Sequence, residues 1–375
     1  MQKIGILGGG QLGRMIIQAA INYPYDVYIL DPDPNAPCSQ LTSHFQVGEL
    51  THFDTVYHFG KKVDILTIEI EHVNADALER LEAEGIQVYP QSQVVRIIQD
   101  KRVQKQFYQT EQIPTADFVL INKKSELQNH VDFLPAFLKL GKAGYDGKGV
   151  LKLTRSSDFE QAFAAPSLLE KAVTIDKEIS VIVARNLNGE ISAFPVVELV
   201  FDPVLNLVDY LLCPAQITND QAQEATTLAK QIIEKLGMVG LLAVEMFLTK
   251  EGKILVNEIA PRPHNSGHQS IEGNETSQFE QHLRAINNLP LGSTEVRMPS
   301  AMVNLLGAPA HTGEAHYEGL DEVLRMPQVY VHLYGKKITK PGRKMGHVTI
   351  IENNIDRLLE KVEQVKNRLQ VVTRK

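Results

Sequence analysis

The chain has 375 residues, 43% of them hydrophobic and 22% charged, with a formal net charge of −7. That length exceeds one ordinary core and predicts two or three subdomains, while the acidic balance, with no block of like charge, argues against nucleic-acid partners and interaction tails. Two distant cysteines, Cys38 and Cys213, argue against a disulfide framework; with no leader pattern and no long apolar run, the expectation is a cytoplasmic protein with no membrane span.

In chain order, residues 3–7 (KIGIL) predict a strand, followed by the turn GGGQLGRM and a helix with apolar Leu12, Met15, Ile16, Ala19 and Ala20. A second strand, residues 27–30, ends at Asp31. Gly8, Gly10 and Gly13 satisfy the G-x-G-x-x-G pattern of a Rossmann-like βαβ opening. The pattern admits a nicotinamide cofactor and equally any ligand held at a helix N-terminus. Residues 64–73 (DILTIEIEHV) predict a third strand with Glu69 and Glu71 at its C-terminal end, where open α/β sheets bind ligands. A solvated strand end is the plainer reading.

From Asp100 the pattern changes to a helix over 103–112, a strand over 135–140, the loop GKAGYDGKG and a strand over 150–153. The loop is no Walker A motif: no glycine stands five positions before Gly147, Lys148 precedes Gly149 instead of Ser or Thr, and strand leads to strand. Its backbone N–H groups could still close over phosphates. Strands over 167–173 and 179–185, a turn at Asn188-Gly189 and a packing helix over 220–236 stopped by Gly237 follow.

Next come a strand carrying Glu245 and a strand, residues 254–256, running into VNEIAPRPHNSGH. A hairpin turning at Glu251 and Gly252 sets Glu245 directly opposite Glu258. Like charges so placed destabilise a strand pair unless a cation lies between them, and Mg²⁺ is typically held by one or two carboxylates plus nucleotide phosphates. A solvated hairpin edge is the alternative, and a bulge would alter the register. The loop after Glu258 gathers Arg262, His264, Asn265, Ser266 and His268. Short strands over 301–305 and 330–334, the basic turn GKKITKPGRKMGHV and a packing helix with Leu358, Leu359, Val362 and Val365 complete the chain. The turn's Lys336, Lys337, Arg343, Lys344 and His347 suggest an anion such as phosphate, or simply a solvated turn.

GGGQLGRM, LKLGKAGYDGKG, NEIAPRPHNSGH and KPGRKMGHV together resemble the ATP-grasp superfamily and, within it, the N5-carboxyaminoimidazole ribonucleotide synthetase family of purine biosynthesis. The resemblance implies an α/β ATP-grasp architecture: a Rossmann-like N-terminal domain (1–99), a central ATP-grasp domain (100–295) and a small C-terminal domain (296–375), as a homodimer. It implies ATP- and bicarbonate-dependent carboxylation of the exocyclic amine of 5-aminoimidazole ribonucleotide through carboxyphosphate, with Mg²⁺. By position it casts Arg102 and Lys139 as nucleotide-phosphate cations, and Gly144, Tyr145, Asp146, Gly147, Lys148, Gly149 and Val150 as the loop over ATP. Glu170, Lys171, Ala172 and Val173 would bracket adenine, Glu178 the ribose, and Asn257 would line the same pocket. Glu245 and Glu258 would ligate Mg²⁺; Arg262, His264 and Asn265 would hold bicarbonate and carboxyphosphate, with His264 able to move a proton near neutral pH. Glu71, Tyr145, Asp146 and Lys148 would contact the ribonucleotide, and Lys336 and Arg343 its 5-phosphate.

Two positions depart from the family pattern: Ala260 stands where many members have an Asn metal ligand, and Phe201-Asp202 where some carry a His. Rival readings are a formate-using glycinamide ribonucleotide transformylase of the same fold, a nicotinamide-dependent dehydrogenase, and a silent ATP-binding module.

Overall fold

Alternation of short apolar runs with amphipathic helices over the first hundred residues builds a parallel sheet, as the computed structural model shows; it describes residues 1–142, 149–201 and 208–374. The strand order is His44–Val47, Tyr25–Asp31, Gln2–Leu7, Ile65–Ile68 and Gln87–Tyr89. The order reverses beside Gln2–Leu7, the place where open α/β sheets form a ligand crevice at their carboxyl ends. The third predicted strand is shorter than expected, ending at Ile68; the Glu69 N–H still donates to Leu7 O (2.9 Å) while its side chain fills that crevice. Its carboxylate accepts from the N–H groups of Gly10 (2.7 Å) and Gly13 (2.8 Å), while Asp31 accepts from Gly9 (2.6 Å). Gly8 adopts φ +104, and a Cβ there would lie 2.4 Å from Glu69 Cγ. The glycines of the fingerprint thus admit a carboxylate of the protein itself. The N–H donors a dinucleotide pyrophosphate would need are already bonded, which removes the basis for the nicotinamide reading.

Two further sheets enclose the middle of the chain. One is antiparallel, in the order Phe118–Ile121, Ser167–Lys171, Ala136–Leu140, Val150–Leu153. The other is nine-stranded among the described residues and runs from Ile254–Ala260 through Gly240–Thr249 and Ile175–Arg185 to Ser300–Leu306, Lys344–Ile351 and Val329–Leu333. Its C-terminal strands continue the central sheet, with Tyr210 paired to Val303. The helix Asn219–Lys235 covers this sheet with Leu228, Ile232 and Ile233 against Val181, Val183, Leu242 and Val244. Each such aliphatic side chain contributes about 1.5–3 kcal/mol by burial.

The first sheet is tied to the nine-stranded one through His282, on the helix Gln278–Ile286, whose Nε2 lies 2.9 Å from Thr67 Oγ1. His282 is fully buried, and that burial pushes its pKa down to about 4. Protonation is therefore favoured in the unfolded chain, where the imidazole titrates near 6.5. Its stabilising contribution is complete above pH 6.5 and disappears as pH falls towards 4. We expect His282→Gln to flatten the pH dependence of urea unfolding between pH 7.5 and 4.5 by about 3 kcal/mol. An unchanged slope in the variant would contradict this assignment.

Candidate active site

The two central sheets meet at the strand Ile254–Ala260. Near the hairpin turn, Met246 pairs with Val256 and Leu248 with Ile254, one residue out of step with the expected register. A bulge at Asn257 then restores the step, so that Glu245 faces Glu258 as the sequence suggested. The bulge produces the opposition instead of undoing it, and turns Asn257 towards Lys139, whose Nζ donates to its Oδ1 at 3.2 Å.

The carboxylate pair sits among cations. Lys101 Nζ lies 2.5 Å from Glu258 Oε2, and this ammonium holds the Glu258 carboxyl well below the usual range. Glu245 moves the other way, pushed up by burial and then by the Glu258 charge. Glu178 is raised to about 7 by burial, with Lys139 opposing and Glu258 reinforcing the shift, which places it beside the same cluster. A buried carboxylate raised by a directly opposed one is a place for a cation. Among the described residues no group of three His, Cys, Asp or Glu side chains gathers to complete a metal shell. The donor set therefore fits Mg²⁺, which takes its other oxygens from phosphates and water, and does not fit a structural zinc.

Lys139 and Glu170 lie diagonally across adjacent strands, Nζ to Oε1 at 2.7 Å, and Lys105 Nζ reaches Oε2 at 2.5 Å. Burial opposes ionisation of Glu170, but Lys139 and Lys105 outweigh it and hold the carboxyl below its ordinary range. Glu170 is thus clasped between two ammonium groups. Lys171 turns away, its ammonium donating to the carbonyls of Phe133 (2.9 Å) and Leu134 (3.4 Å), and the Ala172 N–H is bonded to Pro135 O. Val173 follows at the strand's end. Two expected nucleotide contacts are accordingly reassigned. The Lys171 side chain anchors a turn, and Arg102 donates to Asn122 Oδ1 at 2.5 Å, not to the carboxylate cluster. Lys101 occupies the place expected of Arg102.

The Arg262 loop is fixed by its own motif. Gln278, fully buried, accepts from the His264 N–H (2.8 Å) and donates to His264 O (2.7 Å) and to His268 Nδ1 (3.0 Å). A Cβ on Gly267 would lie 2.6 Å from Gln278 Oε1, so the loop needs glycine there. Arg262 Nε lies 2.8 Å from Glu71 Oε1, and its Nη1 donates to Pro263 O at 3.0 Å. The Ser266 N–H donates to His264 Nδ1 (3.3 Å), so a neutral ring carries its hydrogen on Nε2, which faces Glu245 Oε1 at 3.5 Å. Burial, then the charges of Arg262 and Lys344, push His264 down to about 3. The expectation that it moves a proton near neutral pH is thereby corrected: at pH 7 it is a neutral hydrogen-bonding group. Asn265 Nδ2 is buried with no acceptor among the described residues, a donor available to a bound oxyanion.

The basic turn arrives through a stack of imidazoles: His268 to His347 at 4.8 Å between ring centroids, and His347 to His332 at 4.4 Å. His332 Nε2 meets Glu272 Oε1 at 2.8 Å. Lys336 donates to Lys344 O (2.7 Å), and Arg343 to Ile338 O (2.7 Å). Lys344 is close enough to act on Glu245, His264 and His268. Arg14, from the helix after the glycine turn, comes within 3.6 Å of the space beside Gly335. Sequence reasoning assigned no role to Lys101, Lys105, Gln278 or Arg14, and placed Lys344 only within an anion-binding turn. The signal for the first two is helical: Lys101, Lys105 and Tyr108 share one face of Lys101–Thr110. Gly149 and Val150 flank the loop, with Val150 paired to Lys139. Gly144, Tyr145, Asp146, Gly147, Lys148 and Asp202 lie outside the described residues.

Family models match nearly the whole chain: a ribonucleotide synthetase preATP-grasp domain over residues 1–99, an ATP-grasp domain over 106–279 and a phosphoribosylaminoimidazole carboxylase C-terminal domain over 300–361. The chain is 38% identical to the N5-carboxyaminoimidazole ribonucleotide synthase of Bacillus subtilis, over 96% of this chain and 94% of that one. Its structure resembles the crystal structure of N5-carboxyaminoimidazole ribonucleotide synthetase from Thermotoga maritima, with TM-score 0.93, 41% identity and all of both chains covered. It also resembles the Aspergillus clavatus N5-carboxyaminoimidazole synthase in complex with ADP and 5-aminoimidazole ribonucleotide, with TM-score 0.87, 33% identity and 97% and 99% coverage. Against plant and yeast relatives described as phosphoribosylaminoimidazole carboxylases, the chain spans only 66% and 64% of their length. No helix among the described residues is long and apolar enough to cross a membrane.

Proposed function

The chain belongs to the N5-carboxyaminoimidazole ribonucleotide synthetase family, and we propose that it carboxylates the exocyclic amine of 5-aminoimidazole ribonucleotide with ATP and bicarbonate. The observation that carries this reading is the convergence of the Glu245/Glu258 pair, Lys101 and Lys139 with the clamped Arg262-His264-Asn265 loop.

In this reading Lys101 and Lys139 take the nucleotide phosphates and Glu178 the ribose. Glu245 and Glu258 would hold Mg²⁺, which neutralises charge on the phosphoryl oxygens. Arg262 presents its guanidinium fork to bicarbonate, while His264 and Asn265 hold its oxygens. A bicarbonate oxygen bonds to the γ-phosphorus as the bond to ADP breaks, giving carboxyphosphate. The amine nitrogen then bonds to the carboxyl carbon, the carbon–oxygen bond to phosphate breaks, and inorganic phosphate leaves with the proton that the amine gives up. The site must keep water out for that intermediate to survive. Glu71, already paired with Arg262, would contact the acceptor, with Tyr145, Asp146 and Lys148 on the loop side. Lys336 and Arg343, with Lys344 and Arg14 nearby, would receive its 5-phosphate.

We further propose the three-part organisation with boundaries near residues 99 and 295, and a homodimer in the cytoplasm. The free, buried state of both Cys38 and Cys213 supports a reducing compartment. Sedimentation of the purified chain tests the dimer.

The reaction is tested by ADP release with Mg²⁺-ATP and bicarbonate, with and without 5-aminoimidazole ribonucleotide. Stimulation of roughly 10-fold or more by the ribonucleotide is expected, as for a site that assembles only around both substrates. Turnover with formate and glycinamide ribonucleotide instead would keep the fold and replace the chemistry.

A further inference from the structure

Behind the cleft lies a cation that the reaction above does not use. Lys105 and Glu170 are 2% and 3% exposed, buried as fully as the surrounding apolar residues. Lys105 contacts Glu170 Oε2 and also Thr115 Oγ1, which in turn donates to Val256 O at 2.6 Å, immediately before Asn257 and Glu258. Its ammonium stands 5.7 Å over the Tyr108 ring. Every donor of Lys105 is thus directed into the protein. Lys139, on the other carboxylate oxygen, is the outer member: its side chain is 14% exposed and already extends to Asn257. Charge balance on Glu170 needs one ammonium, yet two are supplied. The two differ in what else they serve: Lys105 faces Glu170 alone among the carboxylates, whereas Lys139 also acts on Glu178 and Glu258 at the cleft.

We propose that Lys105 is a positioning residue that keeps Glu170 compensated while the nucleotide phosphates draw Lys139 off it. With Lys105 in place, Lys139 can pass from carboxylate to phosphate without stranding a buried anion. Without Lys105, the same movement breaks the sole buried pair on Glu170, a strongly unfavourable step. The inference rests on the nucleotide reading of the cleft and adds to it how Lys139 is released.

The test is calorimetric titration of the full chain with Mg²⁺-ADP, using wild type, Lys105→Met, Glu170→Gln and the double variant, with thermal melts of each. Lys105→Met is expected to weaken ADP binding roughly 30-fold or more. In the Glu170→Gln background, where no anion needs compensation, the same substitution is expected to change the dissociation constant by less than about threefold. Similar losses in both backgrounds would make Lys105 an ordinary packing residue and overturn the inference. If Lys105→Met alone does not fold, the comparison of Glu170→Gln with the double variant decides: a further loss of about tenfold or more overturns it, and near-equality supports it. Wild-type protein that binds no ADP would overturn the nucleotide reading and this inference together. Wild type that binds ADP no better than Lys105→Met would overturn the inference alone.

Discussion

Glu258→Gln lowers ADP release by roughly 10³-fold while leaving the chain folded; this is the largest effect expected of a single substitution in the cleft. The glutamine keeps the side-chain shape and one carbonyl oxygen but removes the charge that Lys101 meets at 2.5 Å. Folding should tolerate the change, because the Glu258 side chain is 46% exposed and Lys101 also feels Glu170 and Glu245. Removing the opposed charge also relieves Glu245, whose carboxyl is raised by burial and by Glu258. A lone carboxylate remains where two faced each other, and an ion that relies on both should bind weakly. Calorimetry with ADP separates the causes: Mg²⁺ should strengthen ADP binding to wild type and have little effect on the variant. A variant retaining more than about a tenth of the rate would remove Glu258 from the phosphoryl-transfer site.

The second large effect is expected at Arg262. Arg262→Ala should lower kcat by about 10²–10³-fold while ADP affinity stays within about threefold of wild type. The separation follows from position. Arg262 lies with Glu71 and the His264 loop, whereas the cations beside Glu258 and Asn257 are Lys101 and Lys139. Arg262→Lys keeps the charge but loses the planar fork, so it should recover no more than about tenfold. Parallel losses of kcat and ADP affinity would move Arg262 to the nucleotide side and refute its assignment to the carboxyl group. Thermal melts distinguish either result from unfolding, since Gln278 holds the loop backbone independently of Arg262.

Much of this site was legible in the chain. The opposition of Glu245 and Glu258 was expected from two apolar strands and a Glu251-Gly252 turn; the turn does lie there, with the Gly252 N–H donating to Thr249 O, but its register alone would miss the pairing by one residue. What the periodicity could not supply is the bulge at Asn257, since an extra residue in one strand leaves no mark on alternation. The assignment of Arg102 fails for a related reason. Adjacent helix residues point about 100° apart, and only the packing of Lys101–Thr110 against Glu170 and Glu258 shows which one enters the cleft.

By itself the sequence determined the three successive patterns of strand and helix, the glycines that a close approach requires, and the motifs that carry the chemistry. The patterns and motifs depend on neighbours a few residues away, through turn geometry and helical phase, whereas the missing Cβ of Gly8 and of Gly267 makes room for Glu69 and Gln278, which the fold brings there. Only the tertiary structure decided that Glu69 fills the glycine turn, that Glu170 lies between two lysines, and that His264 stays neutral. These depend on burial and on charges from elements distant in the chain. A carboxylate or imidazole has no fixed role until its solvent and its partners are known.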